Sequence, residues 1–274
     1  MERVSTKKAV ELSRFLDKFS YFANPFYLAA NCWWENRNGE DLVFEKDAGS
    51  GAMILMIIPK KRENMVGQRI SVAYDSDIEA IERAGLKVAE KKEIGVEYIY
   101  LTDEFVTMAG GRFKTFRKEV HNFQKKYPIK VLEDYPKQKI VEFMRDWHAK
   151  KDISGKSDLT KAVFDADFQN CLDYLEMLPI ISHKKVFIEL DGRLVGFQVM
   201  VPMRDDLWIA LMQKTDISLR GLTKLLYHLP AVEMAGVKYF TTGAEAQDPK
   251  LAEFKESIHP VMKLPIYYIQ IDDL

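Results

Sequence analysis

Lys185-Val186-Phe187-Ile188-Glu189-Leu190, the pair Asp191-Gly192, and the runs Leu194 to Val201 and Leu207 to Lys214 decide the fold. Each run is apolar and short, which predicts a buried strand. Asp-Gly between two such runs predicts a tight hairpin turn, because both of its residues tolerate positive φ. The stretch from Pro202 to Asp206 predicts the next turn. Two helical patterns, about 137–151 and 160–177, precede these strands. After them come a helix from about Gly221 to Met234, a strand Val237 to Thr241, a helix over 249–257 and a strand over 263–271. The order of this half is α-α-β-β-β-α-β-α-β.

The first half reads as a degraded version of the same order. Val10, Leu12, Phe15, Leu16 and Phe19 recur at helical spacing over 6–19. Phe26 to Trp34 predicts a short apolar helix, and Asp41 to Lys46 and Ala52 to Ile58 predict strands. Ile78, Ile81, Leu86 and Val88 predict a helix over Asp77 to Lys91. A strand Glu97 to Leu101, a helix Arg112 to Lys126 and a strand Ile129 to Leu132 complete it. Asp134-Tyr135-Pro136 is the best junction, giving domains 1–134 and 135–274. Hairpins mixed with helical crossovers predict a mixed α/β (α+β) chain, with one mixed sheet flanked by helices in each half.

The chain has 274 residues, 47% of them apolar and 30% charged, enough to bury a core. Forty basic residues stand against 41 acidic ones. That balance excludes a global polycation but not a local basic patch. The longest apolar run, Met53 to Ile58, is far shorter than the ~20 residues of a membrane helix. With no apolar leader after Met1, the expectation is a cytoplasmic protein without a transmembrane segment. Cys32 and Cys171 are the only cysteines, which suggests inert thiols in a reducing compartment. The five histidines have no metal-ligand spacing, so no metal is expected.

Helix 112–126 carries a core stripe, Phe113, Phe116, Val120 and Phe123. Its other faces hold Arg112, Lys114, Arg117, Lys118, Lys125 and Lys126 against a single acid, Glu119. A solvated face and a phosphate-contacting surface both fit that pattern. Glu245 lies just past a strand, where α/β sheets bind ligands, and suits a general base or a helix-approach acid. Lys255 suits an anion-holding or surface role. Ser257 suits a reacting carbonyl or its own helix backbone.

The element order resembles the acetyltransferase fold of Gcn5-related N-acyltransferases (GNAT), in tandem as in aminoacyl-tRNA-dependent transferases. Two blocks are more specific. Glu97 to Phe105 runs on to Gly110-Gly111-Arg112-Phe113-Lys114, then Arg117-Lys118 and Asn122-Phe123. Pro249, Leu251, Phe254-Lys255, Ser257 and Pro260 form the second. Both are similar to blocks of the phosphatidylglycerol lysyltransferase C-terminal domain family, whose likeness extends over most of 20–270. That family places an Asn-x-Glu-x-Asp stretch where this chain has Thr241-Thr242-Gly243-Ala244-Glu245, so a single carboxylate, Glu245, remains.

The resemblance implies an aminoacyl group moved from aminoacyl-tRNA, a co-substrate rather than a bound cofactor, to an amine or hydroxyl acceptor. It implies Glu245 and Lys255 as catalytic residues. Donor and substrate binding would fall to Arg117, Lys118, Trp208, Gln213, Arg220, Gly221 and Ser257. The tRNA acceptor stem would lie on helix 112–126, and peripheral membrane contact stays open. The wider fold's coenzyme A loop opens with Arg or Gln and closes on a second small residue. Here Ser218 and Thr223 stand at those positions, and Thr is β-branched where a pyrophosphate needs space. An acyl-CoA donor is the alternative, and a non-catalytic binding protein of the same fold the second.

Overall fold

Asp191 and Gly192 both take positive φ, 51° and 76°, as a two-residue primed turn requires. They join β8 (Lys184–Leu190) to β9 (Arg193–Arg204), and β10 (Leu207–Thr215) returns antiparallel to β9. The computed structural model describes residues 1–14, 24–47, 50–150, 158–180, 183–245 and 248–273.

The remaining strands are β1 (Glu2–Arg3), β2 (Cys32–Arg37), β3 (Glu40–Lys46), β4 (Met53–Leu55), β5 (Arg69–Ala73), β6 (Leu86–Leu101), β7 (Lys130–Leu132), β11 (Tyr239–Ala244) and β12 (Met262–Asp273). The α-helices are α1 (Thr6–Ser13), α2 (Pro25–Asn31), α3 (Asp75–Arg83), α4 (Thr102–Thr107), α5 (Lys114–Lys126), α6 (Lys137–Lys150), α7 (Asp158–Met177), α8 (Leu222–Glu233) and α9 (Pro249–Ser257). Within the helix expected over 6–19, residues 15–19 lie outside the described residues.

The expectation of one sheet per half is corrected. Among the described residues, twelve strands form a single sheet in the order β1-β2-β3-β4-β5-β12-β6-β11-β10-β9-β8-β7. The last strand of the chain, β12, inserts between β5 and β6, both from the first half. The halves are thus joined by backbone hydrogen bonds. Pro265 is tolerated in β12 because pairing with β5 begins only at Tyr267.

Helices cover both faces. α1, α2, α6 and α7 bury one core with Phe26, Met144, Phe197 and Ile209. α4, α5, α8 and α9 bury a second with Phe105, Phe116, Leu226 and Phe240. α3 closes a smaller third core over Ile70, Ile81 and Ile269. Cys32 and Cys171 are buried and unpaired, as expected of inert thiols.

The second half follows its sequence pattern closely, and the first half departs from it. Residues 32–34 open β2 instead of extending a helix. The helix expected to Lys91 ends at Arg83, and Gly85 turns the chain at φ 76°. Leu86 then starts a 16-residue strand, β6. β12 runs alongside it from Leu86 to Ile99, and this ladder outweighs the helical spacing of Leu86 and Val88.

Candidate active site

β10 and β11 are parallel neighbours, yet they pair over only three positions: Leu207 with Tyr239, Trp208 with Phe240, and Ile209 with Thr241. Both strands continue beyond that point, unpaired with one another. Each carries an irregularity there, β10 between Ala210 and Met212 and β11 between Thr241 and Ala244. Bulges bend strands, and two at one level open a cleft at the carboxyl ends of a parallel pair.

α8 packs across both strands at this level. Thr223 on α8 meets Thr215 on β10, their hydroxyl oxygens 3.1 Å apart. One turn later the Tyr227 hydroxyl donates to Thr242 Oγ1 on β11 at 3.2 Å. Two side-chain amides lie on the α8 side of the sheet, Gln198 on β9 and Gln213 directly opposite it on β10. Gln198 is 1% exposed and its Oε1 accepts no hydrogen bond among the described residues, while Gln213 Nε2 is buried and donates none. A buried donor and a buried acceptor left open side by side suit a ligand group or a fixed water.

α8 is also locked to the basic helix α5. Gly221, its N-cap, has φ 97°, and a Cβ there would stand 2.9 Å from Glu119 O and 3.1 Å from Phe123 Cβ. Glu119 pairs with Lys224 at 3.0 Å and with Arg220 at 3.4 Å. Gly221→Ala is expected to cost about 2 kcal/mol, from the left-handed backbone and the close approach together. Urea unfolding reads it; a loss below ~0.5 kcal/mol would mean that the contact relaxes freely.

Below the cleft lies a buried cluster of charges. Lys255, 2% exposed, donates from Nζ to Thr242 O at 3.2 Å and Gly243 O at 2.5 Å, the carbonyls freed by the β11 bulge. Burial pulls its pKa down to about 8, against the upward pull of Glu245 and Glu97. Glu97 on β6 is fully buried. It accepts from the Tyr74 hydroxyl at 2.6 Å and from Thr241 Oγ1 at 3.2 Å. Burial pushes its pKa up to about 7, although both hydrogen bonds and Lys255 act the other way. Glu245 is 7% exposed, and both of its oxygens accept from Val96 N, at 3.0 and 2.8 Å. Tyr100 donates to Lys255 O at 3.1 Å.

The structure brings Lys255 and Glu245 together, with Glu245 turned onto the β6 backbone. Gln213 faces the α8 side of the cleft, and Trp208 packs half-buried in the second core. Arg220 is exposed beside Gly221. Arg117 donates to Met108 O and Gly110 O, which ties down the turn before α5, while Lys118 is exposed. Ser257 Oγ donates to Phe254 O at 2.7 Å within its own helix. Glu97, Tyr74, Thr241 and Gln198 join the site in the structure without a motif of their own in the sequence. The available signal was polarity in apolar strands: Glu97 between Val96 and Tyr98, and Gln198 between Phe197 and Val199.

No curated protein matches the chain. Among solved structures, a conserved protein of unknown function from Bacteroides thetaiotaomicron VPI-5482 is similar over 99% of both chains, at 14% identity and TM-score 0.79. L-PGS from Bacillus licheniformis is similar over 99% of this chain and 93% of its own, at 15% identity and TM-score 0.65. FemX is similar over 96% of each chain, at 10% identity and TM-score 0.56. These likenesses show the fold. The family model "Phosphatidylglycerol lysyltransferase, C-terminal" matches residues 72–270, from β5 through β12, and so takes in Tyr74, Glu97, Glu245 and Lys255. By that match the chain belongs to the family of phosphatidylglycerol lysyltransferase C-terminal domains.

Proposed function

We propose that this protein transfers an aminoacyl group from aminoacyl-tRNA to an amine or hydroxyl acceptor in the cleft between β10 and β11. One observation carries the reading: Gly221 fastens the basic helix α5 to α8, the helix that bonds to both strands of the cleft. Lys114, Lys118 and Lys125 are exposed and recur along α5 at spacings of four and seven. Among the described residues none of the three has an acidic partner. A stripe about 16 Å long suits successive phosphates of a nucleic acid, and the adjoining cleft suits its reactive end.

The loop before α8 supports this donor over a coenzyme A thioester. Asp216 Oδ1 accepts from Ser218 N at 3.0 Å and from Ser218 Oγ at 2.6 Å. A carboxylate thus occupies the N–H that a pyrophosphate would use. Thr223, bound to Thr215, fills the position of the second small residue.

An aminoacyl ester is already activated, so positioning and charge stabilisation suffice. The acceptor nitrogen or oxygen bonds to the acyl carbon, the ester C–O bond breaks, and the acceptor proton passes to the departing ribose hydroxyl. Gln213 Nε2 is the open donor for the carbonyl oxygen. In this reading Lys255 is a positioning residue that fixes the β11 bulge, and Glu245 anchors β11 to β6.

Titration with mixed aminoacyl-tRNA and with acetyl-CoA tests the proposal. Binding of tRNA alone is expected. Lys118→Ala with Lys125→Ala should lower the slope of log K against log salt by about 2. Arg117 is left intact because it holds the 108–110 turn. Acetyl-CoA binding without tRNA binding would overturn the reading.

A further inference from the structure

A cavity of about 580 Å³ lies on the α6 side of the sheet, away from α8. One wall is α6; the other is the open end of the sheet, with the turns at Gly192-Arg193 and Asp216-Ile217. That volume is typical of small-molecule sites. Its apolar surface comes from Tyr135, Phe143 and Trp147, with Leu194 opposite. Trp147 is backed by Lys214, whose Nζ sits 4.9 Å from the ring centre and 2.9 Å from Asp167 Oδ2. The aromatic wall is therefore held from behind.

The charges on the rim fall into two sets. Three carboxylates are already neutralised: Asp134 by Lys185, Glu142 by Lys139, and Glu189 by Lys130. Asp146, Lys150 and Arg193 line the cavity with no ion pair among the described residues. Among the described residues the Asp216 side chain is met by the neutral donors of Ser218, on Oδ1, and by no cation. Two anions and two cations are thus open to a ligand around one apolar wall.

We propose that this cavity binds a small zwitterion with an apolar body, a free amino acid or a short peptide. Its ammonium group faces Asp146 and Asp216, its carboxylate faces Arg193 and Lys150, and its side chain lies on Tyr135, Phe143 and Trp147. Charge-assisted hydrogen bonds at both ends supply the selectivity, and neither a cation nor an anion alone uses both sets. The site lies on the other face of β10 from the proposed donor cleft, so it stands or falls apart from aminoacyl transfer.

Calorimetric titration of the intact chain with L-leucyl-L-leucine, its N-acetyl form, its C-terminal amide and free leucine tests this. The dipeptide is expected to bind, and each blocked form to bind at least about tenfold more weakly. Asp146→Asn should weaken the forms with a free amine and spare the N-acetyl form. Arg193→Ala with Lys150→Ala should weaken the forms with a free carboxylate and spare the amide. Tighter binding of free leucine than of the dipeptide assigns the site to amino acids, and the reverse to peptides. Equal affinity for all forms, or no binding up to about 10 mM, overturns the proposal.

Discussion

Lys255→Met is expected to destabilise the protein by about 3 kcal/mol at pH 10.5, where burial has already made the native amine neutral, read as a lower urea midpoint with an unchanged slope. Methionine fills much of the same volume, so cavity formation is a minor part of the loss. The cost comes from Thr242 O and Gly243 O, which lose their shared donor inside the protein. A buried acceptor left without a partner costs about 1–3 kcal/mol. The bulge that frees these carbonyls also bends β11 away from β10. The variant is therefore expected to loosen the cleft as well as the fold, with faster amide exchange over 241–244. A loss below ~1 kcal/mol would show that water reaches the bulge and that Lys255 is dispensable to it.

That role explains why the site was only partly legible in the sequence. Lys255 stood out by its motif, but its chemistry was unreadable, because its partners are backbone carbonyls exposed by an irregularity in β11. Glu245 was found by its place after a strand, and its attachment to Val96 N depends on β6 lying beside β11. Glu97 is hidden in the sequence because one polar residue in an apolar strand carries no spacing signal.

The second half of the fold was legible for the opposite reason. Its strands are short, apolar and separated by turn residues such as Asp191-Gly192, whose preference is local. Gly85 to Ile94 was not legible. Its charged residues, Lys87 and Glu90 to Glu93, hide the strand, and only the partner β12, about 180 residues away in sequence, makes it one.

Glu97→Gln is expected to reverse sign with pH relative to the parent chain. The folded carboxyl titrates at about 7 instead of the ordinary 4.5. Between those values the native state holds a proton that the unfolded state has lost. Glu97's contribution to stability is therefore complete below pH 4.5 and is lost as pH rises through 7. A shift of that size corresponds to about 3 kcal/mol. Glutamine stays neutral throughout and keeps an acceptor for the Tyr74 hydroxyl. The variant should thus be equal to or less stable than the parent at pH 4.5, and more stable by up to about 3 kcal/mol at pH 8. Lys255 works in the other direction. Its folded pKa of about 8 lies below the ordinary 10.5, so stability rises from pH 8 to 10.5 as the native state sheds its proton first. The two limbs place the cluster's least favourable contribution between pH 7 and 8, and each variant should erase one limb and keep the other. Parallel stability curves for Glu97→Gln and the parent across pH 4.5–8 would mean that Glu97 is ionised throughout, held by Lys255 as a permanent ion pair.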